Sequence, residues 1–282
     1  MEATHKPAFD FDKSLKRIDD ILNSDNKSFK DADSIPNRSE LTYTNGFYVD
    51  CAALFVDIRD SSTMTDEHKR PVLAKIYRSF ISELVALFND NSITKEVNIH
   101  GDCVWCVCDT PYKSDIDELF SMAAKACSMV DILNYKLGKK GYSTYTVGVG
   151  MDYGRALMIK AGNDGSGIND VVWMGDVVNQ ACHLSNDANS GYFDKRVFLS
   201  NIIYENLNEK NQKLCTKDTG RDIYQANIVN IRMNNWLNKQ KYVIFKYAAT
   251  ALTRKWIRDG AERSFTQPEC PNHRGGKLAG HS

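Results

Sequence analysis

The run Leu54-Phe-Val-Asp-Ile-Arg-Asp-Ser-Ser62 constrains the fold more than any other stretch of the chain. An apolar, β-rich segment that ends in a carboxylate and then a polar turn must present its acidic end to solvent or to a ligand. It is answered downstream by Asn98-Ile-His-Gly-Asp-Cys-Val-Trp-Cys106, where Gly101-Asp102 stands between two short apolar runs and reads as a hairpin turn. Either aspartate alone is accounted for by turn chemistry, because its short side chain accepts hydrogen bonds from nearby backbone. Two carboxylates on neighbouring strands, Asp57 and Asp102, are in addition hard oxygen ligands suited to Mg²⁺ or Mn²⁺. A polar turn with free N–H groups after the first of them suits a phosphate.

The flanking periodicities place these two motifs in a larger plan. Phe11, Leu15, Ile18 and Leu22 recur at helical spacing, so a short amphipathic helix opens the chain. The polar stretch Ser24–Glu40, with Pro36, reads as a linker, so residues 1–40 are expected to be an N-terminal helix and linker. A first strand is expected from about Phe47 to Val56, then a long helix over 65–89 with Pro71 in its early turns. After the hairpin around Asp102, Ile116, Leu119, Ala123, Ala126, Val130 and Leu133 predict a helix over 114–136, ended by Gly138-Lys-Lys-Gly141. The β-branched and glycine-rich Tyr142–Asp152 reads as a strand packed closely by a helix, and 174–188 reads as a helix behind Val171-Val-Trp173. Strand, helix, hairpin, helix, strand is the split βαββαβ order of a ferredoxin-like α+β fold. Further strands are expected at Val197–Leu199 and Asp222–Ile231, a helix at Tyr242–Ile257, and a flexible tail over 258–282, which leaves 41–257 as the catalytic domain.

Several function classes are disfavoured. Thirty-six basic and 36 acidic residues leave no overall field to attract nucleic acid or an anionic membrane. No apolar run approaches the roughly 20 residues that span a bilayer, and Met1-Glu-Ala-Thr-His-Lys lacks the order of a signal peptide, so a cytoplasmic location is expected. Among the eight cysteines, Cys103-Val-Trp-Cys106 has no second Cys-x-x-Cys or close His pair to complete a zinc site, and reduced core thiols are expected instead. Gly162-Asn-Asp-Gly-Ser-Gly167 lacks the Gly-Lys-Ser/Thr of a P-loop and reads as a hairpin tip; Lys160 just before it is a candidate phosphate contact.

Three motifs in order, Phe55-Val-Asp-Ile-Arg-Asp-Ser-Ser-Thr63, Gly101-Asp-Cys103 and Trp173-Met-Gly-Asp-Val-Val-Asn-Gln-Ala-Cys-His183, resemble the signatures of the class III nucleotide cyclase catalytic domain. In that family the ferredoxin-like core is elaborated around a two-metal site. The resemblance implies that Asp57, Asp102 and the Ile58 carbonyl bind two Mn²⁺ or Mg²⁺ ions, and that the turn Arg59, Asp60, Ser61, Ser62 cradles phosphates. It also implies a homodimer in which Asn179 and the residue four later reach the nucleotide of the partner. That second position is His183, where the family carries arginine, and an imidazole is shorter and only partly charged at neutral pH. The family's triphosphate lysine has no clear counterpart; Arg232 is the nearest cation in its segment.

Base recognition departs from the purine pattern. Adenylate cyclases carry Lys four residues before the second metal position and Asp three before the glycine of the third motif, where this chain has Asn98 and Val172. With Trp173 nearby and Tyr48 at the head of the first strand, these residues suit a smaller base. The chain most resembles the prokaryotic pyrimidine cyclases of Pycsar antiphage systems. That resemblance implies cyclic UMP made from UTP as an antiviral second messenger read by a downstream effector. The alternatives are cyclic CMP made from CTP, or a catalytically silent nucleotide sensor.

Overall fold

The computed structural model describes residues 2–67 and 70–242, without the side chains of residues 65–67. The chain divides into two compact units, Met1–Asn234 and Asn235–Ser282, and both aspartates belong to the first. The expected tail over 258–282 and all but the first residue of the helix expected at Tyr242–Ile257 lie outside the described residues.

In chain order the elements are α1 (Phe11–Leu22), β1 (Phe29–Asp31), β2 (Gly46–Ile58), α2 (Ser61–Glu67), α3 (Arg70–Asn89), β3 (Thr94–His100), β4 (Cys103–Cys108) and α4 (Lys113–Gly138). They continue with β5 (Val147–Asn163), β6 (Ile168–Met174), α5 (Asp176–Asp187), β7 (Val197–Leu199), α6 (Asn201–Asn206), α7 (Glu209–Gln212), β8 (Cys215–Asp218) and β9 (Ile223–Ala226). The sheet order β3-β4-β2-β5-β7-β9-β8 begins with the antiparallel core of the expected ferredoxin-like plan and then extends it by three short strands.

β2 is the hub, hydrogen-bonded to β4 on one side and β5 on the other. Because it is covered on both faces, Cys51–Val56 is an unbroken buried run rather than an alternating one. Even-numbered Ala52, Leu54, Val56 and Ile58 join a large core with Ile76, Phe80 and Leu84 of α3 and Leu119, Ala123 and Ala126 of α4. Odd-numbered Val49, Cys51, Ala53 and Phe55 face the other way, under Val177 and Ala181 of α5 and Val171 and Trp173 of β6.

Three local expectations are corrected. The polar stretch before β2 is not a free linker: β1 pairs in parallel with Gly46–Tyr48, and Ala32 and Ile35 pack against the second core. Its register is secured by a capping box in which Asn37 and Glu40 satisfy each other's backbone N–H groups. The strand at 142–152 starts only at Val147 and runs on to Asn163, since its second half pairs with β6. The strand expected at 222–231 closes at Ala226, and residues 231–234 are helical.

Among the described cysteines, Cys51, Cys106, Cys108 and Cys127 are buried free thiols, as the core reading expects, and Cys103, Cys182 and Cys215 are free and half-buried. Burial pushes the Cys51 thiol up to about 12. No described helix is long and apolar enough to cross a membrane.

Candidate active site

Asp57 is the penultimate residue of β2, paired with Cys103 on β4 and Gly148 on β5. Asp102 directly precedes Cys103 in the β3–β4 turn, whose Gly101 adopts φ +64°, a conformation that favours glycine. Register therefore sets the two carboxylates side by side at one end of the sheet. Burial pushes the Asp57 carboxyl up, the negative charge of Asp102 pushes it further, and Arg59 opposes both. A carboxylate held against its charge by burial and by a second carboxylate beside it is the kind of oxygen donor whose charge a divalent cation relieves.

Among described residues, the counter-charge is Arg59. Its Nη2 donates to Asp57 Oδ2 at 2.7 Å, and its Nη1 donates to the Asn186 carbonyl of α5. Its Nε is buried without a partner. The next residue, Asp60, has φ +53°, the region in which the family signature places glycine and which aspartate tolerates better than most residues. The Arg59 backbone N–H is already committed to the Thr146 carbonyl at 2.8 Å, so the expected phosphate cradle cannot include it.

α5 rests directly on the backbone of β5. A Cβ added to Gly148 would lie 2.1 Å from the Ser185 carbonyl oxygen, and one added to Gly150 2.1 Å from that of Ala181. This contact leaves Asn179 and His183 together on the exposed side of the helix.

The residues expected around the base divide into two groups. Asn98 pairs with Trp105, which pairs with Phe55, and the Phe55 and Trp105 rings stack at 4.8 Å. Trp173 is buried in the same core. Val172, its neighbour, points to the opposite face of β6 and is 38% exposed. Tyr48 sits nine residues back along β2, roughly 30 Å from Asp57 at ~3.3 Å per residue. There it pairs with Asp31 and Leu157, with the Arg155 guanidinium 4.6 Å from its ring centroid. Lys160 is at that far end too, its Nζ 4.8 Å from the centre of the Tyr43 ring. Arg232 lines a groove with Asp117, Phe120 and Ser121 of α4, on the helical side of the sheet.

Two further residues stand near the site without having been marked for it by the sequence. Tyr77, one of the stripe residues of α3, lies beside Ser61 and feels both aspartates; burial, the largest effect, raises its hydroxyl pKa. Glu96 is 8% exposed on β3, two residues before Asn98 and on the same face. Burial pushes the Glu96 carboxyl up, while Arg38, the Trp173 indole and the Asn98 amide draw it down.

The family model for the adenylate and guanylate cyclase catalytic domain matches residues 45–227. Among curated proteins, a uridylate cyclase of Gulbenkiania mobilis is 38% identical over 264 residues, covering 86% of this chain and all of that one. A uridylate cyclase of Treponema porcinum is 35% identical over 236 residues, covering 82% of each. Among solved structures, the adenylyl cyclase CyaB from P. aeruginosa superposes with a TM-score of 0.54 at 17% identity, covering 66% of this chain and 98% of that one, a likeness of fold. Matched fold, matched domain and paired aspartates agree: the chain belongs to the class III adenylate and guanylate cyclase catalytic-domain family.

Proposed function

We propose that this cyclase acts on UTP, forming 3′,5′-cyclic UMP and pyrophosphate at a site shared between two copies of the chain. The observation that carries the chemistry is the Asp57–Asp102 pair, two mutually repelling carboxylates at one end of the sheet. The names of the two relatives support uridine as the base.

Asp57 and Asp102, with the Ile58 carbonyl, are the residues that would hold Mg²⁺ or Mn²⁺. Two such ions, when bound, supply Lewis-acid activation of the ribose 3′-hydroxyl and charge neutralisation for the departing pyrophosphate. Arg59, which pairs with Asp57 at 2.7 Å, would meet the triphosphate with its guanidinium, with the turn Asp60–Ser62 beside it. Asn179 of the partner copy orients the ribose, and His183 takes the position of the family's arginine toward the reacting phosphate. Tyr48 and Lys160 stand at the far end of the sheet from the Asp57 of their own chain. The product acts as a second messenger for a cyclic-nucleotide effector in antiviral defence, a role supported by the resemblance to the pyrimidine cyclases.

Incubation of purified protein with Mn²⁺ and each of the four ribonucleoside triphosphates, with products separated by mass, tests this reading. Cyclic UMP should exceed cyclic AMP by at least about tenfold in kcat/KM, a margin that one or two base hydrogen bonds supply. Cyclic AMP without a pyrimidine product would overturn it. The His183 substitution and the Arg59–Asp57 pair favour one other reading, a silent sensor, which predicts metal-dependent UTP binding and no cyclic product.

A further inference from the structure

The last turn of α5 and the acidic end of β2 are joined by one side chain, and that side chain is a cation. The Arg59 backbone is pinned through its N–H to the Thr146 carbonyl, and Asp60 then turns the chain at φ +53°, so only the side chain is left to move. It folds back over Gly148, where an added Cβ would stand 3.3 Å from its Cζ. From that seat Nη2 donates to Asp57 Oδ2 at 2.7 Å, and Nη1 donates to the Asn186 carbonyl. Asn186 is the penultimate residue of α5, so its carbonyl is one of the four that a helix cannot satisfy by itself. A guanidinium there supplies the missing donor and meets the negative end of the helix dipole. The Arg59 side chain is 13% exposed and that of Asp57 19%, so little water competes for either. Lysine would not serve both ends, because a single ammonium lacks the planar fork whose two Nη groups reach in two directions.

We propose that Arg59 is a tethered counter-ion that competes with a divalent cation for Asp57, and that the outcome decides whether α5 is latched to the end of β2. The inference rests on the reading of Asp57 as a metal ligand. Two positive centres on one carboxylate repel strongly where solvent screening is weak, so the guanidinium gives way rather than shares. With Arg59 in its seat, the Asp57 charge is neutralised and the end of α5 is capped. With Arg59 displaced, the Asn186 carbonyl loses its donor. Asn179 and His183 lie on the same helix, about two turns and one turn before that carbonyl. The latch therefore ties what sits on Asp57 to the helix that carries both.

The test reads metal binding and arginine exposure in the full-length protein without nucleotide. Mn²⁺ affinity is measured from the electron paramagnetic resonance signal of the free ion for wild type, Arg59→Gln and Asp57→Asn. Arg59→Gln should bind Mn²⁺ roughly tenfold more tightly, the scale of one half-buried ion pair, and Asp57→Asn more weakly. In wild type, phenylglyoxal labelling of Arg59, mapped by mass spectrometry, should quicken at least about fivefold once Mn²⁺ is saturating, because the guanidinium leaves its seat. Backbone hydrogen exchange over 184–188 should quicken with it. Tighter binding by Arg59→Gln with unchanged wild-type labelling would show that Arg59 stays on Asp57 beside the metal, which overturns the competition. An Arg59→Gln affinity within about twofold of wild type overturns it too. Exchange over 184–188 that ignores Mn²⁺ while labelling rises would overturn the latch on α5. If Asp57→Asn binds Mn²⁺ as wild type does, the metal reading of Asp57 falls and this inference with it. Should Arg59→Gln fail to fold, labelling and exchange in wild type decide alone.

Discussion

The two faces of β2 do different work with the same thirteen residues. On one, Ala52, Leu54, Val56 and Ile58 are sealed beneath α3 and α4 by apolar contacts. On the other, the residues run from apolar Val49 and Cys51 to Phe55 and then Asp57, and the cover is α5 and a hairpin strand. Burial of the first face is complete and uniform, so it holds the fold. The second carries the carboxylates Asp57, Glu96 and Asp152, each pushed up by burial, so it is held less favourably and is chemically responsive. A strand buried on both sides can thus divide stability from chemistry by residue parity alone.

The sharpest way to break this division is to strike the chemical face. Asp57→Ala or Asp102→Ala should lower cyclisation by about 10³-fold or more while the far-UV circular dichroism stays that of wild type. Full activity in either variant would remove the aspartates from the site. Striking the other face should do the reverse. Phe80, fully buried, forms a T-shaped pair with Tyr145 at 5.7 Å between ring centroids, and Phe80→Ala should cost about 3–5 kcal/mol in urea unfolding. A loss under about 1 kcal/mol would mean that the helical face is not the stabilising one.

A subtler test asks whether the chemical face is completed by a second copy. Mixing Asp57→Ala with Asn179→Ala chains places both lesions in one pocket of a mixed dimer and spares the other pocket. With half the dimers mixed and one of two pockets intact in each, roughly a quarter of wild-type activity should return. No recovery in verified mixed dimers would confine Asn179 to its own chain.

The smallest effect concerns pH. Asp152 is 8% exposed, and its carboxyl is raised above the ordinary 3.8 chiefly by burial. A raised acid stabilises the fold below its unfolded pKa and loses that contribution as pH climbs through the folded one. Asp152→Asn should therefore gain stability relative to wild type as unfolding is followed from pH 3.8 upward. A difference that stays flat, or moves the other way, would show that Asp152 is not held against its charge.

What was legible in sequence was what depends on neighbours along the chain. The apolar run that ends at Asp57, the Gly-Asp turn at Asp102 and the helical stripe of α4 are each local signals, and they place the elements within a few residues. Contacts made across long separations were not legible. Ser24–Glu40 looks like a linker because two of its few apolar residues, Ala32 and Ile35, acquire meaning only against the second core. Glu96 looks like a surface strand residue until the β5–β6 hairpin brings Trp173 to it. The Arg59 N–H looks free for phosphate until Thr146 is found opposite. Val172 and Trp173 are adjacent in sequence, and strand parity alone sends them to opposite sides.

The seat of α5 on Gly148 and Gly150 bears on how this enzyme can change over time. Elsewhere a helix is spaced from its sheet by side chains, so drift in the core shifts it by fractions of an ångström with every substitution. Here main chain meets main chain, and a single methyl at either glycine would intrude to 2.1 Å. The helix that carries Asn179 and His183 is thereby insulated from mutation in the rest of the interior. The same seat is brittle: these two positions have no viable neighbour in sequence space.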